Sequence, residues 1–375
     1  MYAASPVTNS TVHLDIEKYD LLDHTYYRST IPRRRSSRLL KGFTLAAANG
    51  FKEPATLLRC LNVFKYGRSA ASMSLLYEAI PLLGRSSYDI IHCHFGPNGN
   101  RGTLLREVGV LEGKLITTFH GFDITVHLYK HGEDMYDRLF DTGDLFLPIS
   151  DRWRHRLIEL GCDEKKIGVH RMGVDCQKFS FKPRQPSKNG KVRLVSIARF
   201  VEKKGLEYSI RAVARLAKIN EDIEYTIVGD GPLKGYLQSL VQELEVTDTV
   251  RMVGPKPQQQ IIEILDKAHI LIAPSVTDKM GDQEGIPVVL MEAMAMGLPL
   301  VSTQHSGISE LVENGVTGFL VPERNTEALF DKLKYLVENP HIWANMGRNA
   351  RNFVKKHYDI NELNDRLVEI YQRLL

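Results

Sequence analysis

From Tyr88 onward the chain alternates short apolar runs with stretches of helical spacing, which restricts it to βαβ units built around parallel sheets. "YDIIHCHF", "KLITTFHG" and "LFLPIS" read as strands, and "NRGTLLREVGVL" as a helix. "DRWRHRLIELG" reads as another, with Asp151 at its N-cap and Gly161 at its stop. The polar stretch "SFKPRQPSKNGK", Ser180 to Lys191, breaks the pattern and reads as an interdomain linker. The alternation restarts at "VRLVSIARF" and runs through "EYTIVGDG", "VRMVG", "HILIAPS", "PLVSTQ" and "TGFLVP", a second doubly wound domain, followed by helical pattern to the C-terminus. Two domains also suit a length of 375 residues, since single cores stop growing near ~250–300. A doubly wound domain ordinarily opens with a strand, a Gly-rich turn and a helix. Here "MYAASP" reads as the tail of a strand, so that first unit is expected to be missing.

Composition excludes several classes. Hydrophobic residues at 43% and charged residues at 25% are those of an ordinary globular chain. The apolar runs are of strand length, short of the ~20 residues of a bilayer span. The opening lacks the basic flank and apolar core of a secretory signal. Cys60, Cys93, Cys162 and Cys176 show neither CxxC pairing nor zinc-ligand spacing, which fits a reducing cytosol. A net charge of +4 is too mild to argue for nucleic acid. The basic residues are nevertheless uneven: Ile31 to Tyr77 carries Arg33, Arg34, Arg35, Arg38, Lys41, Lys52, Arg59, Lys65 and Arg68, with Glu53 as its one acid. A solvated helix face and a face docked on an anionic membrane fit this equally.

The second domain carries most of the chemistry. In "ARFVEKKGLEYSI", Arg199 follows a strand and Lys204 precedes Gly205, which opens a helix. Cations at the mouth of a parallel sheet suit a diphosphate, and a solvated basic turn with Lys203 as bystander is the plain alternative. In "YTIVGDGPLKG", Gly229, Asp230 and Gly231 allow close approach of a ligand to the backbone, or simply a tight turn. Pro232 suits a first helical turn, and Gly235 falls one residue too late for a dinucleotide fingerprint. In "QEGIPVVLMEAMAMG", Pro287 suits a first turn and Gly297 a stop. The free amides of Gly285, Ile286 and Val288 would receive a phosphate. Glu284, in the preceding loop, would accept hydrogen bonds from a sugar, and Glu292, about two turns in, would reach a ribose diol. Either acid alone reads as well as a cap or a core-edge group. In "STQHSGISELV", Ser306 and Gly307 open another helix as an anion cradle or, slightly favoured, a plain cap.

In the first domain, "TFHGFDIT" sets His120 at a strand end with Gly121 and Asp123 beside it. His94 and a "GPNG" loop would line the same cleft. His92 and His94 share a strand face but lack a third metal ligand.

Together "TFHGFDIT", "RMGVDCQKF", "ARFVEKKG", "VGDGP", "EGIPVVLMEAMAMGLPLVST", "HSGISELV" and "GFLVP" resemble, in order from Tyr88 to the C-terminus, the family 4 retaining glycosyltransferases of GT-B fold, of the bacterial exopolysaccharide or colanic-acid type. The resemblance implies an α/β architecture of two Rossmann-like domains facing across a cleft. Domain 1–179 would be acceptor-side, 180–191 the linker, 192–357 the nucleotide-sugar domain, and 358–375 a helix packing back on the first. By resemblance Arg199 and Lys204 would neutralise the diphosphate of a UDP- or GDP-hexose and Glu284 would bind its sugar. Glu292 would bind the ribose, His120 would sit near the anomeric carbon, and the base would lie near Val253. The resemblance further implies retention by front-face attack, no metal requirement and no tightly bound cofactor. It implies a lipid-linked saccharide acceptor at the cytoplasmic face of the plasma membrane. Two rivals remain. One is an epimerase or hydrolase of the same fold, using Asp123 or Glu133, and the other a non-catalytic nucleotide-sugar binder.

Overall fold

The computed structural model describes residues 1–3, 14–85, 87–188 and 190–375. The chain divides into two units, one of residues 1–117, 138–145 and 375, the other of residues 118–137 and 146–374.

At the start, β1 (Tyr2–Ala3) pairs in parallel with β2 (Tyr26–Tyr27). The strand tail expected in "MYAASP" is thus two residues long, and residues 4–6 lie outside the described ones. Short helices follow at Arg35–Asn49, Pro54–Cys60, Val63–Ala71 and Ser74–Ala79. Their apolar faces meet in a core that includes Leu57, Tyr66, Leu76, Tyr77 and Leu105. The Tyr77 hydroxyl, inside that core, donates to the Arg38 carbonyl at 2.8 Å.

The strands β3 (Ile90–His94), β4 (Lys114–Phe119) and β5 (Leu145–Pro148) form a three-stranded sheet in that order. The "GPNG" expected as a loop is instead the first turn of the helix Gly96–Glu107. Pro97 falls in the first turn, where its missing N–H costs no hydrogen bond.

The remaining sheet contains β6 (Val192–Ile197), β7 (Ile223–Val228), β8 (Val250–Met252), β9 (Ile270–Ala273), β10 (Leu300–Thr303) and β11 (Phe319–Val321). Its order is β11-β10-β9-β6-β7-β8, and every printed pairing is parallel. Both faces are buried, as the strand alternation shows. Leu194, Ile270 and Ile272 face one apolar layer, and Val195 and Leu271 face the other. Strand order reverses between β6 and β9. Outside the carboxyl ends of strands at such a switch point, two diverging crossovers leave a crevice.

The stretch from Ser180 to Lys191 forms no helix or strand over its described residues, and Asn189 lies outside them. It is anchored all the same: the Arg184 guanidinium donates to the carbonyls of Ala268 and Met296 at 3.3 and 2.9 Å. Beyond β11 the helices are Thr326–Glu338, Trp343–His357 and Ile360–Leu374, and Val174 N–H donates to the Tyr358 carbonyl at 2.8 Å just ahead of the last.

Candidate active site

The backbone at the β6–β9 switch point is built from close approaches. The turn after β6 donates Ala198 N–H to Val228 and Phe200 N–H to Asp230, so it is laced to the turn after β7. Gly229 and Gly231 lie where a Cβ would come within 1.9 and 2.6 Å of the Ala198 and Phe200 carbonyl oxygens. Chain packing alone therefore accounts for both glycines. Asp230 is exposed and pairs with Lys234 at 3.0 Å, and the following helix begins at Lys234, two residues past Pro232. Arg199 is exposed beyond β6 and has no acidic partner among the described residues. Lys203 and Lys204 end a short 3-10 turn closed by Gly205, whose φ is +59°. A Cβ there would fall 1.9 Å from the Pro274 carbonyl oxygen, so only glycine lets this turn sit against the end of β9.

That approach brings the two lysines onto the loop after β9. Lys204 Nζ lies 2.8 Å from Glu284 Oε1, and Lys203 Nζ lies 2.9 Å from Asp282 Oδ2. All four side chains are at most 17% exposed. Lys203 is therefore no bystander in solvent. The Lys204–Glu284 approach is a charge contact without hydrogen-bond alignment, so Glu284 Oε1 retains its capacity to accept.

Glu284 is held from behind by a residue the sequence did not point to. Its backbone N–H donates to His305 Nε2 at 3.0 Å, while His305 Nδ1 lies 2.6 Å from Glu323 Oε1. An accepting Nε2 places the imidazole proton on Nδ1. Burial pushes the Glu323 carboxyl up, but hydrogen bonds from Thr277 N–H and His305 hold it below its ordinary value. Only the "STQHSG" motif carried a signal, and it drew attention to Ser306 and Gly307 instead. Gly307 occupies the N-cap position of the helix Ile308–Leu311, but no side-chain cap bond forms, so Ser306 does not act as the expected cap. Ser306 has a φ of +46° and a buried, unpartnered Oγ.

The helix after Glu284 runs from Val288 to Ala295, so it starts just past Pro287, which its spacing suggests as a first-turn residue. Pro287, at φ −63° and ψ 122°, is its extended N-cap and cannot cap it with a side chain. The amides of Gly285, Ile286 and Val288 find no acceptor among the described residues, as an anion site needs. Gly285 also passes tight against the 118–137 segment, since a Cβ there would lie 3.0 Å from the His120 carbonyl oxygen. With Val288 as the first helical residue, Glu292 is one turn in rather than two. It lies beside Gln258 and Lys178, and burial pushes its carboxyl above the ordinary range against their pull. Val253 donates its N–H to the Ile227 carbonyl at 3.0 Å, past the end of β8.

His120 is half-buried. Asp123, fully buried, accepts the N–H groups of His120 and Gly121 at 3.0 and 2.9 Å, so it builds the turn that presents the histidine. Glu133 is exposed and paired with Arg156. The expected cap Asp151 is corrected by the structure. Ser150, with φ −153°, accepts from Trp153 N–H at 3.3 Å, and Asp151 is the first helical residue, paired with Arg171. The His92 and His94 rings stack at 4.8 Å on one strand face. Among the described residues no group of three or more His, Cys, Asp or Glu is placed to hold a metal.

A six-stranded doubly wound sheet with cations, a buried carboxylate and an open helix N-terminus at its switch point is the arrangement of a nucleotide-binding α/β domain. Solved GT-B structures share the fold. The Anabaena HepE complex with UDP matches with a TM-score of 0.67 at 20% identity, covering 76% of this chain and 79% of that one. A glycosyltransferase from Rickettsia africae ESF-5 matches at 0.68 and 19% identity, over 96% of this chain and 86% of that one. Residues 43–178 match Glycosyltransferase Family 4, and residues 177–353 match Glycosyl transferases group 1. The chain is 38% identical over 366 residues to the amylovoran biosynthesis glycosyltransferase AmsK of Erwinia amylovora, covering 96% of this chain and 89% of the relative. It is equally 38% identical over 373 residues, with the same coverage, to WcaL of Escherichia coli K12, a glycosyltransferase named for colanic acid biosynthesis. The chain belongs to this glycosyltransferase family.

The raised Glu292 carboxyl makes a stability prediction. A folded-state pKa above the unfolded value of 4.5 means that folding stability falls as pH rises through the interval between them. Glu292→Gln is expected to raise the melting temperature at neutral pH and to leave it nearly unchanged near about pH 4, where the acid is protonated in both states. Thermal melts at the two pH values check this, and equal shifts at both would contradict it.

Proposed function

We propose that the chain transfers a hexose from a UDP- or GDP-linked donor to a lipid-linked saccharide or oligosaccharide, with retention, in bacterial surface polysaccharide synthesis. The observation that carries this is the Lys204–Glu284 contact beside the uncapped amides of Gly285, Ile286 and Val288. One cation, one carboxylate acceptor and an open helix start lie together, the set of groups that the junction of a diphosphate and a sugar would need. Arg199 adds a second cation for the diphosphate. Glu292 is assigned to the ribose, and Val253, with Gly229, Asp230 and Gly231, to the wall beside the nucleoside. His120 is assigned to the donor sugar.

In the reaction the acceptor oxygen bonds to the anomeric carbon from the face the diphosphate leaves. The anomeric C–O bond breaks with its electron pair passing to the diphosphate, and the acceptor proton moves to a leaving-phosphate oxygen. Chemistry of this kind depends on stabilising charge at the leaving group, the task assigned to Arg199, Lys204 and the helix amides. The relatives' roles in amylovoran and colanic acid biosynthesis support the surface-polysaccharide setting. The epimerase or hydrolase alternative loses support because Asp123 is committed to the His120 turn and Glu133 is exposed.

The lipid-linked acceptor fits a second feature. No helix among the described residues is long and apolar enough to cross a membrane. Yet the basic segment exposes Leu40, Phe43, Phe51, Leu58 and Phe64, with Phe51 at 80% and Leu58 at 72%. Apolar side chains among exposed arginines and lysines suit the anionic inner face of the plasma membrane, each cation contributing up to about 1 kcal/mol.

Two outcomes are expected. Lys204→Ala should lower kcat by about 10²–10³-fold, as loss of a preorganised charge-stabilising donor does, and nuclear magnetic resonance of the wild-type product should show the donor's anomeric configuration. An unchanged rate or an inverted product would contradict the mechanism. In vesicle sedimentation the protein should bind phosphatidylcholine vesicles only when phosphatidylglycerol is added, and Phe64→Asp should weaken that binding; equal binding to neutral vesicles would contradict the surface assignment.

A further inference from the structure

The cavity beside Trp153 is used by none of the donor assignments above. It has a volume of about 490 Å³, within the ~300–1,000 Å³ of small-ligand sites. Leu128 and Trp153 supply apolar wall and Tyr129 an exposed aromatic face, while Arg152, Arg156 and Gln283 bring hydrogen-bonding groups. An apolar wall interrupted by a few fixed polar groups suits a pyranose, with C–H faces and hydroxyl edges.

These groups are already held in place. Arg152 donates to Gln283 Oε1 at 2.9 and 3.2 Å, with its guanidinium 5.6 Å from the Trp153 ring. Glu310 fixes the start of their helix by accepting the N–H groups of Asp151 and Arg152 at 3.0 and 2.9 Å. Arg156 is held by Glu133 and Glu159. The Trp153 side chain is 2% exposed, and its indole N–H is buried without a hydrogen-bond partner, which costs free energy unless something supplies an acceptor.

The cavity adjoins the sugar end of the donor assignment. Gln283 immediately precedes Glu284. Gly121, next to His120, packs on the Trp153 indole, and Thr125, another lining residue, donates its hydroxyl to the Gly121 carbonyl at 2.9 Å. Arg199, Lys204 and Glu292 are not among the lining residues. An attacking hydroxyl must arrive at the sugar end.

We propose that this cavity is the subsite for the acceptor's terminal sugar, with Tyr129 and Trp153 as its aromatic contacts and Arg152, Arg156 and Gln283 as its polar ones. The proposal rests on the transferase reading above. Saturation-transfer nuclear magnetic resonance with methyl β-galactoside and methyl β-glucuronoside, a neutral and an anionic pyranoside, tests it on the full chain in the presence of UDP. At least one glycoside should receive saturation at its ring protons, and Tyr129→Ala, an exposed position, should abolish that signal. Signals unchanged in the variant, or absent for both glycosides with the wild type, would overturn the subsite. Thermal shifts with UDP and GDP in the same samples report the donor site separately. A nucleotide shift without glycoside signal removes the subsite alone, whereas no shift with either nucleotide removes the transferase reading and the subsite with it.

Discussion

The near-buried contact between Lys204 and Glu284 is the interaction on which the rest of the site depends. Two strand-end turns meet there, and they can meet because Gly205 removes the side chain that would strike the Pro274 carbonyl. Withdrawing charges from water is costly, and a buried pair repays that cost only with good geometry. Here the charge contact is doubled, since Lys203–Asp282 clamps the same two turns beside it. Two adjacent pairs fix the loop after β9 in register with the turn after β6. The Glu284 carboxylate is thus held in place by the fold itself, which is how a polar group proposed to bind a ligand would lower the cost of binding.

Placement from behind matters as much. His305 accepts the Glu284 N–H and is itself oriented by Glu323, so the backbone of this loop is fixed on one side by an imidazole and on the other by lysine charge. Glu292 shows the opposite economy. Burial disfavours its charged form against the pull of Lys178 and a hydrogen bond with Gln258. A cost of this kind is what the proposed ribose-binding role would be expected to carry.

How much of this was legible in the sequence follows from what one-dimensional patterns encode. Alternation of two periods marks strands and helices, and β6 through β11 lie where the apolar runs place them. Strand ends at the mouth of a parallel sheet drew attention to Arg199, Lys204 and Glu284, and the structure brings the last two to 2.8 Å. The misses share one cause. Ser150 caps its helix in place of Asp151 because its backbone is extended, Pro287 stops short of being helical, and "GPNG" opens a helix instead of a loop. These are decided by backbone angles at single residues, which residue type biases only weakly. His305 and the Lys203–Asp282 pair were hidden for another reason. Their partners are many residues away, and only the assembled switch point brings them together.

The central claim is that Lys204 holds the diphosphate and Glu284 the sugar of one donor. Calorimetric titration with UDP- and GDP-hexoses, each beside its nucleoside diphosphate, separates the two halves. Glu284→Gln should weaken binding of the nucleotide-sugar by about tenfold or more, the scale of a hydrogen bond to a charged group, and leave nucleoside diphosphate binding unchanged. Lys204→Ala should weaken both. Nucleotide-sugar affinity equal to wild type in Glu284→Gln, or diphosphate affinity equal to wild type in Lys204→Ala, would contradict the account.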